Sequence, residues 1–129
     1  MSDTITKQLK WVFLIHFIAG IVAGIAYFLI PEQYAGLLGW TPIEPAIYRL
    51  VGAAMIGLAF GSLLAYRAAN WVKVRIVLEM EIVWLICADI ALIMVATTGL
   101  YPPLMWASAL GIMLFFTISF IYCYITNLD

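Results

Sequence analysis

Five ionisable side chains interrupt long apolar stretches of the sequence and could do chemistry there. They are His16, Arg49, Glu79, Glu81 and Asp89. The three acids share one stretch, residues 74–95, which is long enough to cross a bilayer. An ionisable group at membrane depth costs at least ~2.5 kcal/mol on insertion scales, so it is usually paired, buried between helices or placed on a watery path. These five residues are therefore the candidates for a ligand site or for ion pairs.

The height of each residue along its helix limits which of them can meet. At ~1.5 Å rise per residue, His16, Glu79 and Glu81 all lie roughly 7–11 Å inside the same end of their stretches. The two glutamates are separated by ~200° around a helix, so only one of them can face His16. We expect the other to meet a nearby basic side chain or a neighbouring subunit. The nearby basic residues are Arg67, Lys73 and Arg75. A histidine–glutamate pair could relay protons, or the histidine could simply be satisfied in the interior.

Arg49 and Asp89 approach a common level from the opposite end. Asp89 lies roughly 10 Å inside that end, within reach of a long side chain that descends from Arg49. The sequence therefore predicts an Arg49–Asp89 ion pair. Such a pair could form an anion or proton site beneath the connection 31–45, or it could clamp two helices together.

Other kinds of chemistry find no support in the residue pattern. The sequence has no nucleophile with a neighbouring base, no phosphate-binding glycine loop and no zinc-type cysteine spacing. The two cysteines, Cys87 and Cys123, differ in predicted height by roughly 15–20 Å, too far for a disulfide. We predict no catalytic residue, no metal and no cofactor, and the function leans away from an enzyme. A net charge of −1 also argues against nucleic-acid binding.

Composition indicates a membrane protein. Of the 129 residues, 67% are hydrophobic and only 10% are charged, whereas roughly 25% are charged in soluble proteins. We predict an all-α fold, a four-helix transmembrane bundle in one domain covering residues 1–129. The predicted spans are about 11–30, 46–66, 74–95 and 104–124. The connection 31–45 is predicted to lie in the membrane interface, as an anchor or as a lid.

Charge asymmetry predicts the orientation of these spans. Basic residues flank one side of the predicted membrane, whereas the other side has only Arg49 together with Glu32 and Glu44. The basic residues of the first side are Lys7, Lys10, Arg67, Lys73 and Arg75. The positive-inside rule then places both termini in the cytoplasm, for a multi-pass protein of the cell membrane.

Small residues at four-residue spacing predict which helices pack closely. Gly20 and Gly24 lie on one face of the first span, and Gly57 and Gly61 on one face of the second. Because small residues let two backbones approach, we expect these two helices to be partners.

Several short motifs resemble those of small prokaryotic four-helix membrane proteins that are loosely DoxX-like. The motifs are Pro31, Gly39–Trp40, the Arg49-x-x-Gly52-Ala53 start of the second span, and Trp71 followed by Arg75 and Glu79/Glu81. The resemblance covers most of the chain. It implies a four-helix membrane fold and, as in some DoxX relatives, quinone-linked oxidation, but it carries over no catalytic residues.

The sequence thus favours a non-enzymatic integral membrane protein, whose partners are the lipid bilayer and either further copies of itself or a larger membrane complex. Too little polar sequence lies outside the spans to build a soluble catalytic domain. The first alternative is a small proton- or anion-coupled channel or transporter that uses the intramembrane charges. The second alternative is the quinone-linked redox protein that the resemblance implies.

Overall fold

The computed structural model describes residues 4–128, which form five α-helices and no β-strand. The helices are α1 (Lys7–Leu29), α2 (Pro31–Leu37), α3 (Pro45–Arg67), α4 (Trp71–Thr98) and α5 (Pro103–Leu128). The prediction of an all-α fold is confirmed. Three of the helices, α1, α3 and α5, are long and apolar enough to cross a membrane. The fourth long helix, α4, is the one that contains the three acids Glu79, Glu81 and Asp89.

Local signals in the sequence set where the helices begin and end. Thr6 caps α1 by accepting a hydrogen bond from the Leu9 N–H at 3.3 Å, so this helix begins before the apolar stretch. Asn70 caps α4 in the same way, through the Val72 N–H at 2.8 Å. Gly99 ends α4 with a φ of 66°, a backbone conformation that residues other than glycine rarely adopt.

Helix α1 packs closely along α3 because glycines remove the side chains between the two backbones. A Cβ atom on Gly52 would lie 2.7 Å from the backbone nitrogen of Phe28 and 2.8 Å from the carbonyl oxygen of Gly24. A Cβ atom on Gly20 would lie 2.9 Å from the Cβ of Ala59. The predicted partnership of these two helices, and the part that Gly20 and Gly24 play in it, agree with this packing.

The glycines predicted on the other side of this contact are not the ones used. A Cβ atom on Gly57 would meet nothing within 4 Å, and one on Gly61 would meet Val77 of α4 at 3.8 Å. Gly52 and Ala59 are seven residues apart, two helical turns, and form the contact face of α3 instead.

Both ends of the described chain meet at one end of the helices. The Thr6 N–H donates to Oδ1 of Asn127 at 3.2 Å, and Nδ2 of Asn127 donates to the Thr6 hydroxyl at 3.1 Å. Thr4 pairs with Asn70 of the α3–α4 connection in an isolated β-bridge. The start of α1, the end of α5 and this connection therefore share one level.

Aromatic rings close the opposite end, where α2 lies against α1 and α3. The ring of Tyr27 lies 5.0 Å from the rings of Tyr34 and Tyr48. Trp40 continues the cluster, with its ring 5.5 Å from Tyr48 and 5.2 Å from Tyr101. The connection predicted at 31–45 is thus partly helical, and its aromatic residues cover the ends of the long helices.

We expect Gly52→Ala and Gly57→Ala to have opposite effects on stability, although the chemical change is identical. The new methyl group at Gly52 overlaps the α1 backbone, so this variant should lose about 1–3 kcal/mol of unfolding free energy. At Gly57 there is open space, and alanine favours the helix by up to about 1 kcal/mol. Unfolding in mixed detergent micelles measures both values, and equal effects would contradict the close α1–α3 contact.

Candidate functional site

Three buried polar side chains from three different helices form a hydrogen-bonded cluster inside the protein. Ser62 and Glu81 have no exposed surface, and His16 keeps only 7% of its own exposed. Nδ1 of His16 lies 2.8 Å from the Ser62 hydroxyl oxygen, and that hydroxyl donates to Oε1 of Glu81 at 3.2 Å. The second nitrogen of His16, Nε2, lies 3.8 Å from Oε2 of Glu81. We call these three residues the polar triad.

The hydrogen-bond pattern of the polar triad indicates the tautomer of His16. A serine hydroxyl has one proton, and the Ser62 hydroxyl donates it in the hydrogen bond to Glu81, so Nδ1 of His16 is the donor to the Ser62 oxygen. In the neutral ring, Nε2 is then left as a proton acceptor facing Oε2, which has no hydrogen-bond partner among the described residues. Two acceptor atoms therefore lie opposite each other with no hydrogen between them. One further proton, on either atom, would make that atom a donor to the other.

That single proton decides the net charge of the polar triad. With it, the group is either a neutral histidine beside a carboxylic acid or an imidazolium beside a carboxylate, and both have zero net charge. Without it, one negative charge remains buried among apolar helices, which is costly unless it is paired. Because 3.8 Å exceeds the length of a hydrogen bond, such a proton belongs to one of the two partners and is not shared between them.

The fourth long helix completes the surroundings of the histidine. Phe116 and Phe120 of α5 present their rings to the His16 ring, with centroids 4.7 and 5.3 Å away and interplanar angles of 83° and 70°. These edge contacts help to hold the imidazole in place. All four long helices thus contribute to one layer of the protein.

Glu79 lies on the outside of the same layer. Its Oε1 accepts hydrogen bonds from Nε of Arg75 at 2.7 Å and from the Tyr124 hydroxyl at 2.8 Å. The side chains of Arg75 and Glu79 are 46% and 45% exposed. The sequence left open which of the two glutamates faces His16. The structure shows that it is Glu81, and that Glu79 pairs with Arg75.

The structure does not bring Arg49 and Asp89 together. Oδ2 of Asp89 accepts a hydrogen bond from the Thr117 hydroxyl of α5 at 2.6 Å, while its Oδ1 is buried with no hydrogen-bond partner in the described chain. Arg49 is exposed and takes part in neither ion pair found within residues 4–128. This pair was predicted from the heights of the two residues along their helices, without their directions around the helix axes. Arg49 lies 13 residues before Ser62, which places it ~140° away around α3 from the buried face.

A cavity of about 110 Å³ extends from the polar triad towards α2. His16 lines it at one end, and Tyr27 and Tyr34 line it at the other. His16 and Tyr27 are 11 residues apart on α1, a distance of about 16 Å along the helix. Between these ends the walls are small or apolar, and they include neither an acidic nor a basic side chain. His16 is thus the member of the polar triad that faces it.

Metal ligands and paired cysteines are not found in residues 4–128. No three histidine, cysteine, aspartate or glutamate side chains there come close enough to hold a metal ion. Cys87 is exposed and Cys123 is buried, and both are free thiols.

Three polar partners were not predicted from the sequence: Ser62, Thr117 and Tyr124. For Ser62 a signal existed, because it lies five residues before the end of α3, roughly 7–8 Å inside, at the predicted height of His16 and Glu81. Thr117 had no comparable signal. Helix α5 contains several hydroxyl side chains, and most of them bond to their own backbone, as Ser108 and Ser119 do.

Comparison of the chain with protein-family models, with curated proteins and with solved structures gives no match. The DoxX-like resemblance, and the redox activity that it implies, therefore stay predictions.

Two double-mutant cycles should distinguish the observed partner of Asp89 from the predicted one. Removing one member of a buried hydrogen-bonded pair leaves the other unsatisfied, so Asp89→Ala and Thr117→Val should show a coupling energy of about 0.5–3 kcal/mol. Asp89→Ala and Arg49→Ala should be additive within about 0.5 kcal/mol. Unfolding free energies in mixed micelles provide both values. Coupling to Arg49 but not to Thr117 would contradict the structure.

Proposed function

We propose that α1, α3, α4 and α5 all cross the bilayer of the cell membrane as a four-helix bundle, with both termini in the cytoplasm. Three of these helices have the length and composition of membrane spans, and α4 packs along α5 and contacts α3. Two of the acids of α4, Glu81 and Asp89, are turned away from the surface, so its outer face is largely apolar. The basic residues near the shared end of α1, α5 and the α3–α4 connection support the orientation.

Within this bundle, we propose that the protein is a small proton-coupled transporter or channel. One observation carries this proposal. At the inner end of a cavity, a fully buried carboxyl group lies opposite a histidine nitrogen, and one proton can be held by either of them. Ionisable groups inside membrane spans commonly mark proton relays. His16 faces the cavity, so it is placed to pass the proton between the cavity and Glu81.

The anion-coupled version of this function has less support. An intramembrane anion site needs a buried cation or aligned hydrogen-bond donors. Arg49 was the predicted cation, and it is exposed and apart from Asp89. No lysine or arginine of the described chain is buried. The geometry therefore supports coupling to protons rather than to anions.

A single introduced cysteine should test the topology. Gln33 of α2 and Ala69 of the α3–α4 connection are both exposed, at opposite ends of the helices. In a background without Cys87 and Cys123, we expect an impermeant thiol reagent added outside cells to label Gln33→Cys but not Ala69→Cys. The reverse pattern would overturn the orientation, and labelling of both from outside would overturn the number of spans.

Proton flux into liposomes should separate the two neighbouring glutamates. With a pH-sensitive dye trapped inside and a potassium diffusion potential as driving force, the parent protein should conduct protons. Glu81→Gln should reduce the flux about 100-fold, because a positioned proton-transfer group contributes of that order. Glu79→Gln is the matched control, since its side chain is exposed, and should change the flux less than about twofold.

Ser62→Ala adds an intermediate case to the same assay. This variant keeps both titrating groups but removes the hydrogen bond that sets the His16 tautomer, so its flux should fall between those of the parent and Glu81→Gln. A parent protein no more conductive than empty liposomes would contradict the proposal, and so would a Glu81→Gln variant equal to the parent.

A second candidate function, a homo-oligomer or an accessory subunit of a larger membrane complex, is favoured by a different observation. Only 17–22% of the most apolar window of each candidate span is buried within the chain. The Arg75–Glu79 ion pair also lies exposed on a helix that we propose to be in the membrane. A charged pair facing lipid is costly, and a neighbouring protein would cover it.

Native mass in mild detergent tests this second candidate. If the ion pair lies in an interface, the parent should be larger than a monomer, and the double variant Arg75→Gln, Glu79→Gln should dissociate. Arg67→Gln is the control, because Arg67 is exposed at the end of α3 and forms no ion pair within the described residues. A monomeric parent, without another bound protein, would exclude this candidate.

A further inference from the structure

The lining of the cavity indicates the kind of molecule that fits into it. The lining includes small residues of α1 and α5, Ala19, Gly20 and Ala109. It also includes the aromatic side chains of Trp84 and Phe116. A planar aromatic molecule can stack on such rings or make edge contacts with them. The volume of about 110 Å³ is of the same order as, and smaller than, the ~150 Å³ cavity that admits benzene, which limits a ligand to a single ring.

The polar groups at the cavity ends limit this class further. His16 is the one basic side chain in the lining, no acidic side chain lines the cavity, and any charge on His16 is balanced by Glu81, so a charged ligand would lose its hydration without gaining a counter-ion. In its neutral form, His16 has one acceptor, Nε2, because Nδ1 already donates to Ser62. A ligand that donates one hydrogen bond, such as a hydroxyl group on the ring, satisfies this atom.

We propose that the cavity between His16 and Tyr34 binds small, neutral, single-ring aromatic alcohols of the phenol class, with the hydroxyl group donating to Nε2 of His16. This inference deepens the proposed function and rests on it in one respect, that the cavity is the compartment with which His16 exchanges its proton. A bound hydroxyl occupies the atom that otherwise faces Oε2 of Glu81, so ligand binding and the position of the triad proton are linked.

Fluorine NMR of the full-length protein in detergent tests the binding directly, with para-fluorophenol as the probe and fluorobenzene as its partner without a hydroxyl. We expect saturable binding of both, with the phenol about tenfold tighter, as one hydrogen bond provides. In His16→Leu this preference should disappear while fluorobenzene still binds, which also shows that the cavity is intact.

A matched pair of variants on α5 locates the site. Ala109→Leu fills the cavity and should abolish binding of both probes. Ala107→Leu is the same change two residues away on the exposed face of the helix, and binding should remain as in the parent. Binding that survives Ala109→Leu would place the probe elsewhere and overturn the proposal.

Further outcomes would also overturn the proposal. Equal affinity of the parent for both probes would exclude the hydrogen bond to His16. A co-purified lipid chain that the probes cannot displace would assign the cavity to lipid. Because no proton gradient is present in this assay, absence of probe binding alongside normal proton flux would reject the ligand class alone. Probe binding without flux would instead reject the proton-coupled function.

Discussion

A carboxyl group with no exposed surface has to be neutralised by its neighbours inside the protein, and the arrangement around Glu81 follows from this constraint. Ser62 satisfies one oxygen, and His16 faces the other across 3.8 Å. Ser62 and His16 come from different helices, so both helices have to present these side chains inward at the level of Glu81. The inward faces of α1, α3 and α4 are thus set in part by one polar group and not by apolar packing alone.

The glycine contact between α1 and α3 makes this arrangement possible. His16 and Ser62 approach to 2.8 Å only because the two backbones run close together, as they do where Gly20 meets Ala59 and where Gly24 meets Gly52. A hydroxyl side chain is short, so a wider helix separation would break the link to Nδ1. The cavity also depends on the small residues of α1, since Ala19 and Gly20 are among the residues that line it. One packing feature therefore supports both the polar triad and the space beside it.

Much of the fold could be predicted because apolar length and helix-end residues act locally, whereas the site depends on angles around helices that the sequence shows only indirectly. Heights along the helices correctly brought His16 and Glu81 to one layer. The same reasoning failed for Arg49 and Asp89, because equal height does not mean facing sides. Asp89 faces α5 and Arg49 faces outward. The choice of Gly57 over Gly52 failed for the same reason. Four-residue spacing marks a face of a helix without saying which face meets the neighbour.

Two carboxyl oxygens remain buried without a hydrogen-bond partner among the described residues, Oε2 of Glu81 and Oδ1 of Asp89. Each unsatisfied group costs about 1–3 kcal/mol, and replacing buried ionic groups by apolar residues of similar size is often neutral or stabilising. Packing alone therefore does not account for either acid, in contrast to Gly52, which packing requires. Glu81 and Asp89 are eight residues apart, about 12 Å along α4. Glu81 lies beside the inner end of the cavity, and Asp89 lies closer to α2. Among the helices described, α4 is thus the one with unsatisfied carboxyl oxygens on its buried face, and for Glu81 a function in proton binding would explain this energetic cost.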